Sequence, residues 1–156
     1  MRGERPVVAE LNGALRGQLT AINQYFMHAR MFGNWGLEAL NGHDYRWSIK
    51  AMKQADRLIG RILFLDALPN LQDLGKLLLG EDVEEMLQGD LNLATDIRGH
   101  LVTAIALCET ERDFVSRDLL EEILEAEEDH IDWLESQLWL IEHSGVENYQ
   151  QSMISS

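Results

Sequence analysis

The chain has 156 residues, is 46% hydrophobic and carries 27 acidic against 13 basic side chains, for a formal charge of −14. This length predicts one domain covering residues 1–156. The acidic balance disfavours nucleic acid and anionic lipid and favours cations, although solvated helix faces would give the same charge. With no membrane-spanning apolar run, no signal-peptide core and a single cysteine, Cys108, a cytoplasmic location is expected.

Apolar residues recur every three or four positions in four long segments, which predicts four amphipathic helices. The first helix has its expected buried seam at Leu11, Leu15, Gln18, Ile22, Tyr25, Ala29 and Phe32. The second, over about residues 42–65, carries Trp47, Ala51, Gln54, Leu58 and Leu65 on one flank. The third seam is Val83, Leu87, Asp90, Ala94, Ile97, Leu101, Ala104 and Cys108, and the fourth is Leu120, Leu124, Glu127, Ile131, Leu134, Leu138 and Ile141.

The second helix also has another apolar flank, formed by Tyr45, Ile49, Met52 and Ile59. Because Met52 follows Ala51, it is rotated by about 100° and points away from the bundle core. Two apolar flanks on one helix predict a partner outside the bundle.

The connections define the class of bundle. Short turns are expected near residues 33–36 and 112–113, whereas a long segment over residues 68–80 joins the second and third helices. A single long crossover in the middle of four helices is the ferritin-like connection. Residues 146–154 could form a short fifth helix after Gly145. The predicted fold is therefore an all-α, ferritin-like four-helix bundle with a short C-terminal helix.

Two ionisable residues, Glu127 and His130, interrupt the fourth seam with the Glu-x-x-His spacing of a di-iron carboxylate site. Such groups are costly in an apolar core unless they are paired, so they need a structural or a functional reason. Carboxylate and imidazole ligands suit iron that cycles between its ferrous and ferric states. The alternative is that Glu127 and His130 only hydrogen-bond each other and Gln18.

Over essentially its whole length the sequence resembles bacterioferritin, the haem-containing bacterial branch of the ferritins. The matching stretches are AINQYF (21–26), HARMF (28–32), NWGL (34–37), RILFL (61–65), LPNLQDLGKL (68–77), GEDVEEML (80–87) and HIDWLE (130–135).

The resemblance implies a hollow shell of about 24 subunits that stores iron as a ferric mineral. It also implies haem b on the two-fold axis of each dimer, held by one methionine from each subunit, and Met52 matches that methionine. A soft thioether suits a haem iron used for electron transfer. From the residues alone, Met52 could instead be an ordinary interface side chain.

Two further sets of residues follow from the resemblance. Those that match or replace the family's haem-pocket residues are Ile22, Asn23, Phe26, Tyr45, Ile49, Lys53 and Arg57. Those that match the surface where a bacterioferritin-associated ferredoxin docks, to supply electrons for iron release, are Leu68, Pro69, Asn70, Leu71, Lys76, Leu77, Glu81 and Glu85.

The family's ferroxidase ligands carry over poorly. Glu127 and His130 match, but the remaining ligand positions are occupied by Gln18, Ala51, Gln54 and Ala94. Since three of four carboxylates are missing, the remaining pair cannot balance two ferrous ions. We therefore expect no working di-iron centre in this chain and no catalytic residues of its own.

Some bacteria make two bacterioferritin subunits that co-assemble, one with ferroxidase centres and one with haem, and this chain resembles the second. The expected function is iron storage, with haem-mediated electron transfer to the mineral during iron release and oxidation left to a ferroxidase-competent partner subunit. The alternatives are a ferroxidase with an altered site, a DNA-protecting miniferritin or an inert structural subunit. The acidic charge and the apparent fifth helix argue against the miniferritin.

Overall fold

The computed structural model describes residues 1–155, and within them it contains five α-helices and no strand. The helices are α1 (Arg5–Asn34), α2 (Glu38–Phe64), α3 (Val83–Thr110), α4 (Phe114–Ser144) and α5 (Val146–Ser152). The predicted ferritin-like bundle with a long crossover and a short fifth helix is confirmed. Of the described helices, none has an apolar stretch long enough to cross a bilayer.

Two predicted boundaries shift by a few residues. Helix α2 begins at Glu38, because Gly36, with φ of +77°, completes the turn and allows the fully buried Leu40 to lie in the first helical turn. Left-handed backbone of this kind favours glycine. Helix α5 ends at Ser152, two residues before the predicted end.

The four predicted seams do face the interior. Helix α1 packs mainly against α2 and α3, and α3 packs mainly against α4. The apolar core has two halves, one around Leu15 and Leu58 and the other around Phe32 and Leu87. Buried polar side chains come from all four long helices and include Gln18, Gln24, His28, His43, Asp44, Gln54, Asp90, Glu127 and His130. Both the pair Glu127 and His130 and a cluster of His28, Asp44 and Asp90, described below, are among them.

The crossover between α2 and α3, residues 65–82, lies along α1, and we call it the strap. It starts beside the first residues of the chain, where Gly3 N–H donates to Leu65 O. It then meets one polar side chain per turn of α1, in the pairs Asn70 with Asn12, Asp73 with Arg16, Gly75 with Thr20, Leu78 with Gln24, and Gly80 with His28. Because those α1 residues are four apart, they form one stripe on the helix. By binding this stripe, the strap runs from the end of α2 at one end of the bundle to the start of α3 at the other.

Candidate functional site

Glu127 and His130 lie on α4 with their side chains buried, 2% and 0% exposed. Gln18 on α1 donates from Nε2 to Glu127 Oε1 at 3.3 Å. The other oxygen of Glu127 and both nitrogens of His130 have no hydrogen-bond partner among residues 1–155. Glu127 and His130 do not hydrogen-bond each other. Of the hydrogen bonds expected if the pair were only structural, the structure has the one between Gln18 and Glu127.

The positions at which the family resemblance places further ligands offer little to a metal. Ala51 and Ala94 are buried at 3% and 0% exposure and have no ligand atom, and Gln54 is buried with a neutral amide. Among the described residues, no third histidine, cysteine or carboxylate comes within ligand distance of both Glu127 and His130. One carboxylate and one imidazole are fewer ligands than a dinuclear iron site requires.

Aromatic rings surround His130 instead. Trp47 stacks on it with ring centroids 4.0 Å and planes 6° apart, and Tyr25 meets it edge-on at 5.1 Å. A second stack lies alongside, in which His43 and Trp133 have centroids 3.3 Å and planes 11° apart. Trp47 thus covers one face of the imidazole, while both of its nitrogens are buried without a hydrogen-bond partner among the described residues.

The ionisable groups of this region favour their neutral forms. Burial raises the pKa of Glu127 to about 7, against the opposing effects of the hydrogen bond from Gln18 and the charge of Lys50. Burial, followed by the charges of His43 and Lys50, holds the pKa of His130 well below its usual value. Burial also lowers the pKa of His43 to about 3. The pair can therefore remain in the core without a metal because little charge is buried.

Met52 lies on the outer side of α2 and is 50% exposed. Phe26 and Tyr45 are exposed nearby, with ring centroids 6.5 Å apart, and the Arg30 guanidinium lies 5.5 Å from one ring and 5.4 Å from the other. Of the other predicted haem-pocket residues, Ile22 and Ile49 are partly buried, and Asn23, Lys53 and Arg57 are exposed. The subunit thus presents an apolar surface with basic side chains at its edge.

The predicted docking residues lie on or just after the strap. Leu68 and Leu71 are 83% and 57% exposed, and Leu74, Leu77 and Leu79 are also exposed. The other predicted members are exposed or partly buried: Pro69, Asn70, Lys76, Glu81 and Glu85. The strap therefore presents a row of leucines to solvent while its backbone is bonded to α1.

Sequence reasoning missed a second polar cluster, formed by His28, Asp44 and Asp90, all 0% exposed. One potential ligand atom from each lies within 4.8 Å of the others. Burial, followed by the charge and hydrogen bonding of Asp90, raises the pKa of Asp44 well above its usual value. The sequence did hold a signal, because Asp90 interrupts the α3 seam as Glu127 interrupts that of α4.

A four-helix bundle with one long crossover between α2 and α3, together with its Glu-x-x-His pair, defines a ferritin-like protein. The family comparison agrees, since the chain matches the ferritin-like domain over residues 8–144. It is 46% identical to a bacterial ferritin of Synechocystis over 99% of this chain and 100% of that one. It is 43% identical to a bacterial ferritin of Pseudomonas aeruginosa (99% and 100%) and 41% identical to a bacterioferritin of Mycobacterium avium (99% and 98%). The chain belongs to the bacterioferritin family, for which iron storage is the indicated function.

Proposed function

We propose that this chain is a haem-binding iron-storage subunit that does not oxidise ferrous iron at a di-iron centre of its own. The observation that carries the proposal is that no third histidine, cysteine or carboxylate among the described residues shares ligand distance with Glu127 and His130. The positions where the family resemblance would place further ligands hold alanine or glutamine. Iron that enters the shell would be oxidised elsewhere. A mixed shell of about 24 subunits, in which a second bacterioferritin subunit supplies ferroxidase centres, meets that need.

The outer side of α2 supports the haem part of the proposal. A half-exposed thioether with exposed aromatic rings beside it suits a flat apolar group held between two subunits. By two-fold symmetry Met52 of each subunit would face the other across the dimer axis. Lys53 and Arg57 supply positive charges for the haem carboxylates, although Arg57 is also hydrogen-bonded to Glu122. Haem bound there would supply one-electron transfer.

The strap supports a role for a ferredoxin in iron release. Its exposed leucines, together with Lys76, Glu81 and Glu85, form a surface on which the bacterioferritin-associated ferredoxin would dock. A flat apolar patch with charged residues at its edge is typical of transient protein partners. On this proposal, electrons enter the shell at the strap, and the stored ferric iron leaves as soluble ferrous iron.

Haem content and ferrous oxidation test the proposal separately. The chain should be produced alone in a haem-sufficient host, as the parent and as Met52→Leu, with Met27→Leu as the control because Met27 is a similarly exposed methionine on α1. We expect haem absorbance in the parent and the control and its loss in Met52→Leu. Equal haem in all three proteins would contradict the assignment of Met52.

Ferrous oxidation should be compared between the parent and a Glu127→Gln/His130→Gln variant. We expect both shells to oxidise ferrous iron at the same slow rate, and co-expression with a ferroxidase-competent bacterioferritin to restore rapid oxidation. Rapid oxygen-dependent oxidation by the parent alone, lost in the double variant, would instead establish a ferroxidase with an altered site.

A further inference from the structure

The structure contains two buried carboxylates without a basic partner. Asp44 on α2 and Asp90 on α3 are both fully buried. Neither makes an ion pair with a lysine or an arginine among residues 1–155, and the contact of His28 with Asp90 is the only ion-pair geometry that either makes there. Burying two negative charges without compensation is very costly. Either a proton shared between the two carboxyls or a bound cation must therefore balance the second charge.

The hydrogen bonds of the cluster show which atoms are free. Gly80 N–H donates to His28 Nε2 at 3.2 Å, so Nδ1 must carry the imidazole proton and donate to Asp90 Oδ1 at 2.8 Å. Gln24 Nε2 donates to the same oxygen at 3.0 Å. His28 is thus neutral, with both nitrogens occupied. Apart from the hydrogen bond that a proton on Asp44 makes to Asp90, the atoms without a partner among the described residues are Asp90 Oδ2 and both oxygens of Asp44.

We propose that Asp44 and Asp90 together bind a single divalent metal ion with a preference for oxygen ligands, such as Mn²⁺ or Fe²⁺, at a site separate from Glu127 and His130. Three free carboxylate oxygens are hard ligands of the kind these ions prefer. One divalent ion neutralises both carboxylates. One oxygen of each carboxylate lies within 4.8 Å of an oxygen of the other, so a single ion can lie about 2.0 to 2.5 Å from both.

His28 and Gln24 would act as positioning residues in this site. Each donates a hydrogen bond to Asp90 Oδ1 and leaves Oδ2 for the metal. Hydrogen bonds of this kind, from residues that do not touch the metal, orient the group that binds it. The same two side chains accept hydrogen bonds from Leu78 and Gly80 of the strap. The metal site is therefore covered on one side by the strap and connected to it through His28 and Gln24.

Manganese is the probe for the test, because Mn²⁺ gives both a paramagnetic signal and anomalous X-ray scattering. The assembled protein should carry Glu127→Gln and His130→Gln throughout, so that the remaining Glu-x-x-His pair contributes nothing. We expect one tightly bound Mn²⁺ per subunit by electron paramagnetic resonance titration. Asp44→Asn or Asp90→Asn should abolish it, whereas Asp56→Asn, an exposed aspartate on α2, should not.

An anomalous difference map of the unmodified protein soaked in Mn²⁺ gives a second measurement that needs no variant to fold. A peak between the Asp44 and Asp90 carboxylates is expected. No peak there, or Mn²⁺ binding that Asp44→Asn and Asp90→Asn leave unchanged, would overturn the proposal and show that the two carboxyls are balanced by a shared proton alone.

Discussion

Trp47 lies flat against His130, with the two rings 6° from parallel and their centroids 4.0 Å apart. This stack holds an imidazole that makes no hydrogen bond among the described residues. Packing against Trp47 therefore orients the imidazole. On the proposed function, Gln18, Ala51, Gln54 and Ala94 supply no metal ligation, and this packing takes over the orienting role that ligation would have.

Removing the stacked indole should destabilise the subunit. For Trp47→Ala we expect a loss of about 2 to 3 kcal/mol, at or just below the low end of the range for a large aromatic because Trp47 is only partly buried. Trp139→Ala is the control, since Trp139 also stacks on a histidine, His143, but is 57% exposed. Chemical denaturation measures both, and equal losses would show that the stack on His130 adds nothing to stability.

On the proposed function, placing the family's ligands at positions 18, 51, 54 and 94 should create a metal requirement. A Gln18→Glu/Ala51→Glu/Gln54→His/Ala94→Glu variant adds three carboxylates to the core, so its melting temperature without metal should fall below that of the parent. Co²⁺ should then raise the variant's melting temperature by more than it raises the parent's. Glu128→Gln, a change on the exposed face of α4, is the control for a substitution outside the core. Equal Co²⁺ effects in all three proteins would contradict the assignment of these four positions.

The raised pKa of Glu127 predicts a dependence of stability on pH. Since the pKa is about 7 in the fold and about 4.5 when unfolded, the folded state holds the proton over that interval and stability falls as pH rises through it. The loss is of the order of 3 kcal/mol and is complete above pH 7. Glu127→Gln removes it, so its unfolding free energy relative to the parent should rise between pH 5 and pH 8. Glu125→Gln, at an exposed position on α4, should show no such change.

Two glycines of α3 should respond in opposite directions to alanine. A Cβ at Gly89 would collide with the carbonyl oxygen of Leu78 in the strap, whereas at Gly99 it would meet no atom within 4 Å. Gly99→Ala should therefore stabilise the protein by about 0.5 to 1 kcal/mol through helix propensity. Gly89→Ala should destabilise it, because backbone atoms must move. A stable Gly89→Ala protein would show that the strap is free to shift away from α3.

The helical seams could be predicted from the sequence because they depend only on spacing along one helix. Gln18, Asp90 and Glu127 all fall on those seams and are all buried. The long crossover was also predictable, since residues 68–80 separate the second helical seam from the third. The spacing of apolar residues along the chain was therefore enough to predict where each helix lies and which of its faces is buried.

Contacts between helices could not be predicted in the same way. The stack of His43 on Trp133 depends on how α2 and α4 are rotated about their axes, and the contact of His28 with Asp90 joins residues 62 apart in sequence. Periodicity gives the face of a helix but not the partner across the interface. For that reason the sequence did not predict that Asp44 on α2 lies beside Asp90 on α3.

The strap along α1 has a consequence for molecular recognition. Its backbone is tied to Asn12, Thr20, Gln24 and His28, so the leucines between those ties hold their positions before any partner arrives. A protein that binds this row loses little conformational entropy on the shell's side. The surface formed by the least regular segment of the chain is thus preorganised, and its affinity for a partner would be set mainly by the shape and charge of that partner.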